Sequence, residues 1–170
     1  SDRYALAYFN AASLTALALG DKPSAMRFLG FGMTQERKDL KLKALPNVEA
    51  ELSGIVTGPP SILPGVRYLD KDFTIEKLRS AVRGDYQILH IASHFVLESG
   101  DPRNSFLLLG RGELSLNEFQ NLNFGRVKWA TFSACDTAMG GRGQNGSEMD
   151  SLAAASHDRG VKTVLATLWP

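Results

Sequence analysis

Apolar runs about one strand long alternate along this chain with segments of helical period, and few folds accommodate that alternation. Tyr4–Phe9, Met26–Met33, Val66–Leu69, Tyr86–His94, Ser105–Leu109, Lys128–Asp136 and Val161–Leu168 read as strands. Ala11–Leu19, Leu45–Gly58, Thr74–Arg83, Leu116–Leu122 and Glu148–Arg159 read as helices. Their ends carry chemical signals. Ser115 with Glu118 is a capping-box pattern, because a serine hydroxyl and a glutamate carboxylate can satisfy each other's backbone N–H. Pro46 suits a first turn, and Gly20, Gly58, Gly84 and Gly160 suit stops. Asp21–Ser24 reads as a turn, and Pro59-Pro60 forbids helix continuation. The charged run from Thr34 to Ala44 reads as a solvated loop, Glu98–Asn104 as a polar loop, and Met139–Gly146 as a glycine-rich loop. Gly30 and Gly32 suggest close backbone approach. The expected fold is α/β: a mostly parallel sheet with helices on both faces, one domain over residues 1–170.

Two of the strands end in reactive side chains. LHIASH finishes at His94, and TFSAC finishes at Cys135, the single cysteine. Ligands in open α/β sheets bind beyond the carboxyl ends of the strands. Strand ends also offer exposure and backbone N–H donors, which a nucleophile needs beside its base. The separation of 41 positions (135 − 94) leaves room for a strand and a helix, so the two strands can lie near each other in one sheet.

Composition narrows the alternatives. A formal net charge of +1 gives no electrostatic case for nucleic acid or an anionic membrane. No apolar run reaches the ~18 residues of a membrane span. One cysteine excludes an internal disulfide framework and fits a reducing, cytoplasmic compartment. His90 and His94 form HxxxH, a zinc pattern on a helix. On a strand the same spacing covers about 13 Å, too far to share an ion. No metal is therefore expected. His90, inside the strand, reads as a structural, hydrogen-bonded histidine, and His94 as the one able to reach a crevice. Gly141 to Gly146 spells GxGxxG, but its first glycine lies beyond any tight turn. The acid a dinucleotide site requires about 20 residues on would fall near Ala166, in an apolar strand.

These motifs resemble the CHAT family, caspase-like domains found fused or adjacent to tetratricopeptide repeats. The likeness is carried by LHIASH, SFLLLG (Ser105 to Gly110), LSLNEF (Leu114 to Phe119), SACDTAMG (Ser133 to Gly140) and VLATLWP (Val164 to Pro170). It extends upstream through FLGFG at Phe28 and LPNVEAEL at Leu45. The resemblance implies a caspase-like fold and a cysteine endopeptidase with a Cys-His dyad, acting on polypeptides without a cofactor. It makes Cys135 the nucleophile and His94 the general acid/base. It puts oxyanion-hole donors on the backbone N–H groups of Cys135 and Phe95, the latter standing where caspases have glycine. Ser133, Asp136, Gly140 and Gly141 become candidates for lining the substrate cleft. A tetratricopeptide-repeat region or partner is implied as well. The resemblance also makes the chain read as truncated at both ends, with the acid that reads a basic P1 residue in separase-like relatives lying past Pro170, so that residues 1–170 alone are expected to lack robust peptidase activity. The alternative from a different class is a non-catalytic CHAT-like interaction module working with repeat proteins.

Overall fold

A computed structural model describes residues 26–56, 62–96, 104–136 and 146–166, with the backbone alone at 134–136 and 146–151. The segments Tyr4–Phe9, Ala11–Leu19, Asp21–Ser24 and Pro59-Pro60, most of Glu98–Asn104, and the 139–145 stretch with its GxGxxG glycines lie outside the described residues, as do Gly140 and Gly141.

Seven strands form one sheet among the described residues. They are β1 (Phe28–Gly32), β2 (Gly65–Leu69), β3 (Ile88–Val96), β4 (Phe106–Leu108), β5 (Glu113–Ser115), β6 (Trp129–Asp136) and β7 (Thr163–Ala166). β2, β1, β3, β6 and β7 run side by side and parallel. β4 and β5 add an antiparallel flap where β3 outruns β1, with Val96 opposite Phe106. The α/β architecture with a mostly parallel sheet is thus the one the alternation predicts. β5 was not expected as a separate strand. Its three residues hold one buried side chain, Leu114, too short a run to show a period.

The helices are α1 (Val48–Val56), α2 (Ile75–Ala81), α3 (Leu116–Gln120) and α4 (Gly146–Asp158). α1 lies on one face of the sheet and the other three contribute to the opposite face. Val48 and Leu52 sit one turn apart on α1 and pack with Phe28 and Ala92. The sheet beneath α1 is lined by glycine. A Cβ at Gly32 would come within 2.5 Å of Val48 Cγ1, and one at Gly30 within 2.8 Å of Phe28 Cε1 and 3.1 Å of Leu52 Cδ2. The sequence pair GFG is therefore what lets the helix seat this close. The larger core occupies the other face, where Leu89, Ile91, Phe95 and Phe132 meet Leu78, Phe119 and Leu152. Each such fully buried aliphatic or aromatic side chain contributes about 1.5–3 kcal/mol.

The end signals at Ser115 and Gly160 hold, while Gly20 and Gly58 lie outside the described residues. Ser115 accepts from Glu118 N and Glu118 reaches back to Ser115, a complete capping box. Thr74 caps α2 by accepting from Lys77 N, and Gly160, at φ +93°, follows α4 in the left-handed region that favours glycine. The charged Thr34–Ala44 run departs from its reading as a solvated loop. Its charged side chains face water, but Arg37 and Leu42 pair across it through N–H···O bonds of 3.0 Å in both directions. Leu42 is buried against Met33 and Leu108. Alternating Leu40 and Leu42 within KDLKL was the available signal. Among the described residues, no helix is long and apolar enough to cross a membrane.

Candidate functional site

Strand alternation decides which β3 side chains reach which face. Leu89, Ile91 and Phe95 enter the larger core, while Ala92 packs under α1. His90 and His94 belong to the Ala92 set, so both histidines lie on the α1 side. On β6, Ala130 and Phe132 enter the larger core, which leaves positions 131, 133 and 135 in the α1-side set. The parallel register pairs His94 with Cys135, Ala92 with Ser133, and Phe95 with Asp136. The two strands that end in His and Cys are therefore neighbours, with those residues side by side near their carboxyl ends. β3 continues two residues past His94 because β4 supplies a partner there. Ser93 secures that junction, donating its hydroxyl to Leu108 O at 2.6 Å.

His94 is 1% exposed. Its Nε2 lies 2.8 Å from the carbonyl oxygen of Lys43. A carbonyl only accepts, so Nε2 carries the proton and donates, and Nδ1 of the neutral ring is left with its lone pair. That Nδ1 is buried and has no hydrogen-bond partner among the described residues. Burial pushes the His94 pKa below its ordinary value, and the Lys43 carbonyl offsets part of that. The ring is therefore neutral at pH 7 and available as a base. The carbonyl contact was invisible in the sequence, since any residue at position 43 carries one.

The depressed pKa has a consequence for stability. The unfolded chain takes up a proton near the ordinary value of 6.5, while the folded chain resists it. The stabilisation from neutral His94 is full above that value and is lost as pH falls through the lower folded pKa. The urea midpoint should fall between pH 7 and pH 5, and His94→Gln should flatten that part of the profile. An unchanged acid slope in His94→Gln would mean that His94 is not the group responsible.

His90 makes a different contact. Its Nε2 is 2.7 Å from Glu51 Oε1 of α1, yet no hydrogen bond of good geometry forms there. The contact ties His90 to α1 without the aligned hydrogen bond expected for a structural histidine. Proximity to His90 holds the Glu51 carboxyl below the usual carboxylate range against the opposing effect of burial, with a smaller contribution from the Ser133 hydroxyl. Ser133, a cleft candidate, is thus partnered to α1. Glu51 gave no sign in the sequence, because its meeting with β3 depends on how α1 lies across the sheet.

Phe95 was the residue whose bulk most threatened a site of this kind. Its side chain is 3% exposed and sits in the core on the far face, edge-on to Phe132 at 6.0 Å between ring centroids. Alternation therefore removes the ring from the His94 side altogether. The backbone of Phe95 is extended and flanked by Leu107 on one side and Asp136 on the other. Ala92 O accepts from Met33 N, on the β1 side. Alternate residues of a strand direct their backbone groups to opposite neighbours, so the Phe95 N–H looks toward β6, the strand that carries Cys135.

Among solved structures, protein GSU0716 from Geobacter sulfurreducens matches at 14% identity, with a TM-score of 0.44 over 78% of this chain and 62% of that one. The chain thus spans 62% of the length of that protein. No curated protein sequence matches this chain. Against known families, residues 1–170 match the CHAT domain. That match takes in every residue described above, and the chain belongs to the CHAT domain family, which is related to the caspase-like peptidases.

Proposed function

We propose that this domain is a cysteine endopeptidase in which Cys135 is the nucleophile and His94 the general acid/base. What supports the reading is the state of the His94 ring, with Nε2–H held by Lys43 O and Nδ1 buried without a hydrogen-bond partner among the described residues, together with the backbone register that pairs His94 with Cys135. In this mechanism Nδ1 takes the thiol proton. The thiolate then attacks the substrate carbonyl carbon, and its oxygen becomes an oxyanion. The N–H groups of Cys135 and Phe95 are the donors for that oxyanion, and the direction of the Phe95 N–H supports this. His94 next returns the proton to the leaving amine, the C–N bond breaks, and an acyl-enzyme forms. Water activated by the same nitrogen hydrolyses the thioester and restores the thiol. Ser133, Asp136, Gly140 and Gly141 line the cleft in this reading. No cofactor takes part, the substrate is a polypeptide, and a tetratricopeptide-repeat region is the expected partner.

One observation favours a second reading, a non-catalytic interaction module acting with repeat proteins. Phe95 and Asp136 are paired in the β3–β6 ladder. An oxyanion hole built on the Phe95 N–H requires that last pairing to give way to the substrate carbonyl. A cysteine-directed electrophile on a peptide scaffold separates the readings. The enzyme should be labelled at Cys135 near neutral pH, and labelling should compete with substrate peptide. Labelling no faster than that of an unfolded control peptide containing the same cysteine would support the interaction module.

A further inference from the structure

The carbonyl that fixes the His94 tautomer belongs to a loop, and the loop is fastened at a point remote from His94. After β1 the chain runs out from Thr34 and returns at Leu45, whose N–H donates to Thr34 O at 2.9 Å and closes the base. Gln35 Nε2 donates to the Thr34 hydroxyl oxygen at 2.9 Å, and Asp70 holds Thr34 at two points. Its N–H donates to Asp70 Oδ1 and its hydroxyl to Asp70 Oδ2, both at 2.7 Å. Charge-assisted hydrogen bonds of this kind are about twice as strong as neutral ones. Both carboxylate oxygens are thus spent on a single residue at the root of the loop.

Asp70 is itself held in an unusual conformation. It follows β2 at φ +47°, one of two non-glycine residues with positive φ among those described. Such a conformation costs about 1–2 kcal/mol in an L-residue and persists where the surroundings over-determine it. Here they do so from two sides. Phe73 N donates to Asp70 O at 2.8 Å, and Gly110 N donates to Phe73 O at 2.9 Å. Gly110 has no side chain to hold Asp70 away, since a Cβ there would lie 1.4 Å from Asp70 O. The end of β2 and the turn after β4 therefore set Asp70, Asp70 sets Thr34, and Thr34 closes the loop that presents Lys43 O.

We infer that Asp70 is a positioning residue for His94, acting through Thr34 and the Thr34–Leu45 loop to hold the ring in its Nε2–H tautomer with Nδ1 unprotonated. This rests on His94 being the base of the proposed dyad, but the tautomer itself is a property of the folded chain whether or not it cleaves peptides. The test uses Thr34→Val, which keeps the shape and removes the hydroxyl donor, Thr34→Ser, which restores that donor, and Asp70→Asn. His94 ring 15N shifts report the tautomer, and Cys135 alkylation rate reports the chemistry. Thr34→Val and Asp70→Asn should give mixed His94 tautomers and alkylation slowed about ten- to a hundredfold, the range a small displacement near the reacting atoms produces. Thr34→Ser should behave as the parent. Should Asp70→Asn fold poorly, the comparison of Thr34→Val with Thr34→Ser decides alone. A folded Thr34→Val protein with an unchanged single tautomer would overturn the inference. Mixed tautomers without any change in alkylation would keep the positioning role and count against the dyad.

Discussion

In the intact protein, His94→Ala should lower peptide cleavage by about 10²–10⁴-fold, the range for losing a positioned general acid/base, while Cys135→Ala should abolish it. Removing His94 takes away the proton acceptor at Nδ1 and the proton donor to the leaving amine at once, so both chemical steps suffer. The fold should tolerate the change. His94 lies near the carboxyl end of β3, and its one hydrogen bond among the described residues goes to the Lys43 carbonyl, which can turn to water. Alkylation of Cys135 should slow in parallel. Imidazole added to His94→Ala should recover part of the rate, since the substitution leaves a buried space the size of the ring. The measurement is cleavage of a mixed peptide library together with timed alkylation, on parent and variants at one pH. Cleavage that survives Cys135→Ala, or alkylation indifferent to His94, would end the dyad reading.

The sequence carried the parts of this site that rest on local pattern. LHIASH and TFSACD are apolar runs of strand length, and they form β3 and β6 in register from Ile88 with Trp129 to Phe95 with Asp136. Ser115 and Glu118 announced α3 because a capping box is written in adjacent residues. The glycines of FLGFG pointed to a close approach, and α1 makes it. What stayed hidden was everything fixed by distant contact. Lys43 acts through a backbone carbonyl, which no side-chain identity encodes. Glu51 meets His90 only once α1 crosses β3. Asp70 and Thr34 are 36 residues apart, and no period links them. Charge misled in one place: the run around Arg37–Lys43 is polar enough to read as solvated, although its two leucines pin it to the core beside Leu108.

Gly110→Ala should be among the most destabilising single changes in the chain, and it connects stability to the site. A methyl group at this position would lie 1.4 Å from Asp70 O and 2.2 Å from Asp70 C. Those are backbone atoms, so no side-chain rotation relieves the clash, and the end of β2 must separate from the turn after β4. Moving Asp70 breaks two charge-assisted bonds to Thr34 and the Gly110 N–H bond to Phe73 O. Overpacking costs about 1–3 kcal/mol. With the lost hydrogen bonds added, a destabilisation of about 3 kcal/mol or more is expected. For a chain of this length that is a fall in Tm of roughly 6–12 °C. Gly54→Ala is the matched control. It lies in α1 with nothing within 4 Å of its added methyl group, so it should stabilise by about 0.4–1 kcal/mol. The measurement is urea unfolding of both variants with the His94 tautomer recorded in the folded baseline. If Gly110→Ala unfolds within about 0.5 kcal/mol of the parent, the usual scatter of surface changes, Asp70 is not held from the Gly110 side. If it is destabilised as expected, its folded baseline should also show mixed His94 tautomers, because the same displacement reaches Thr34 and, through the loop, the carbonyl of Lys43.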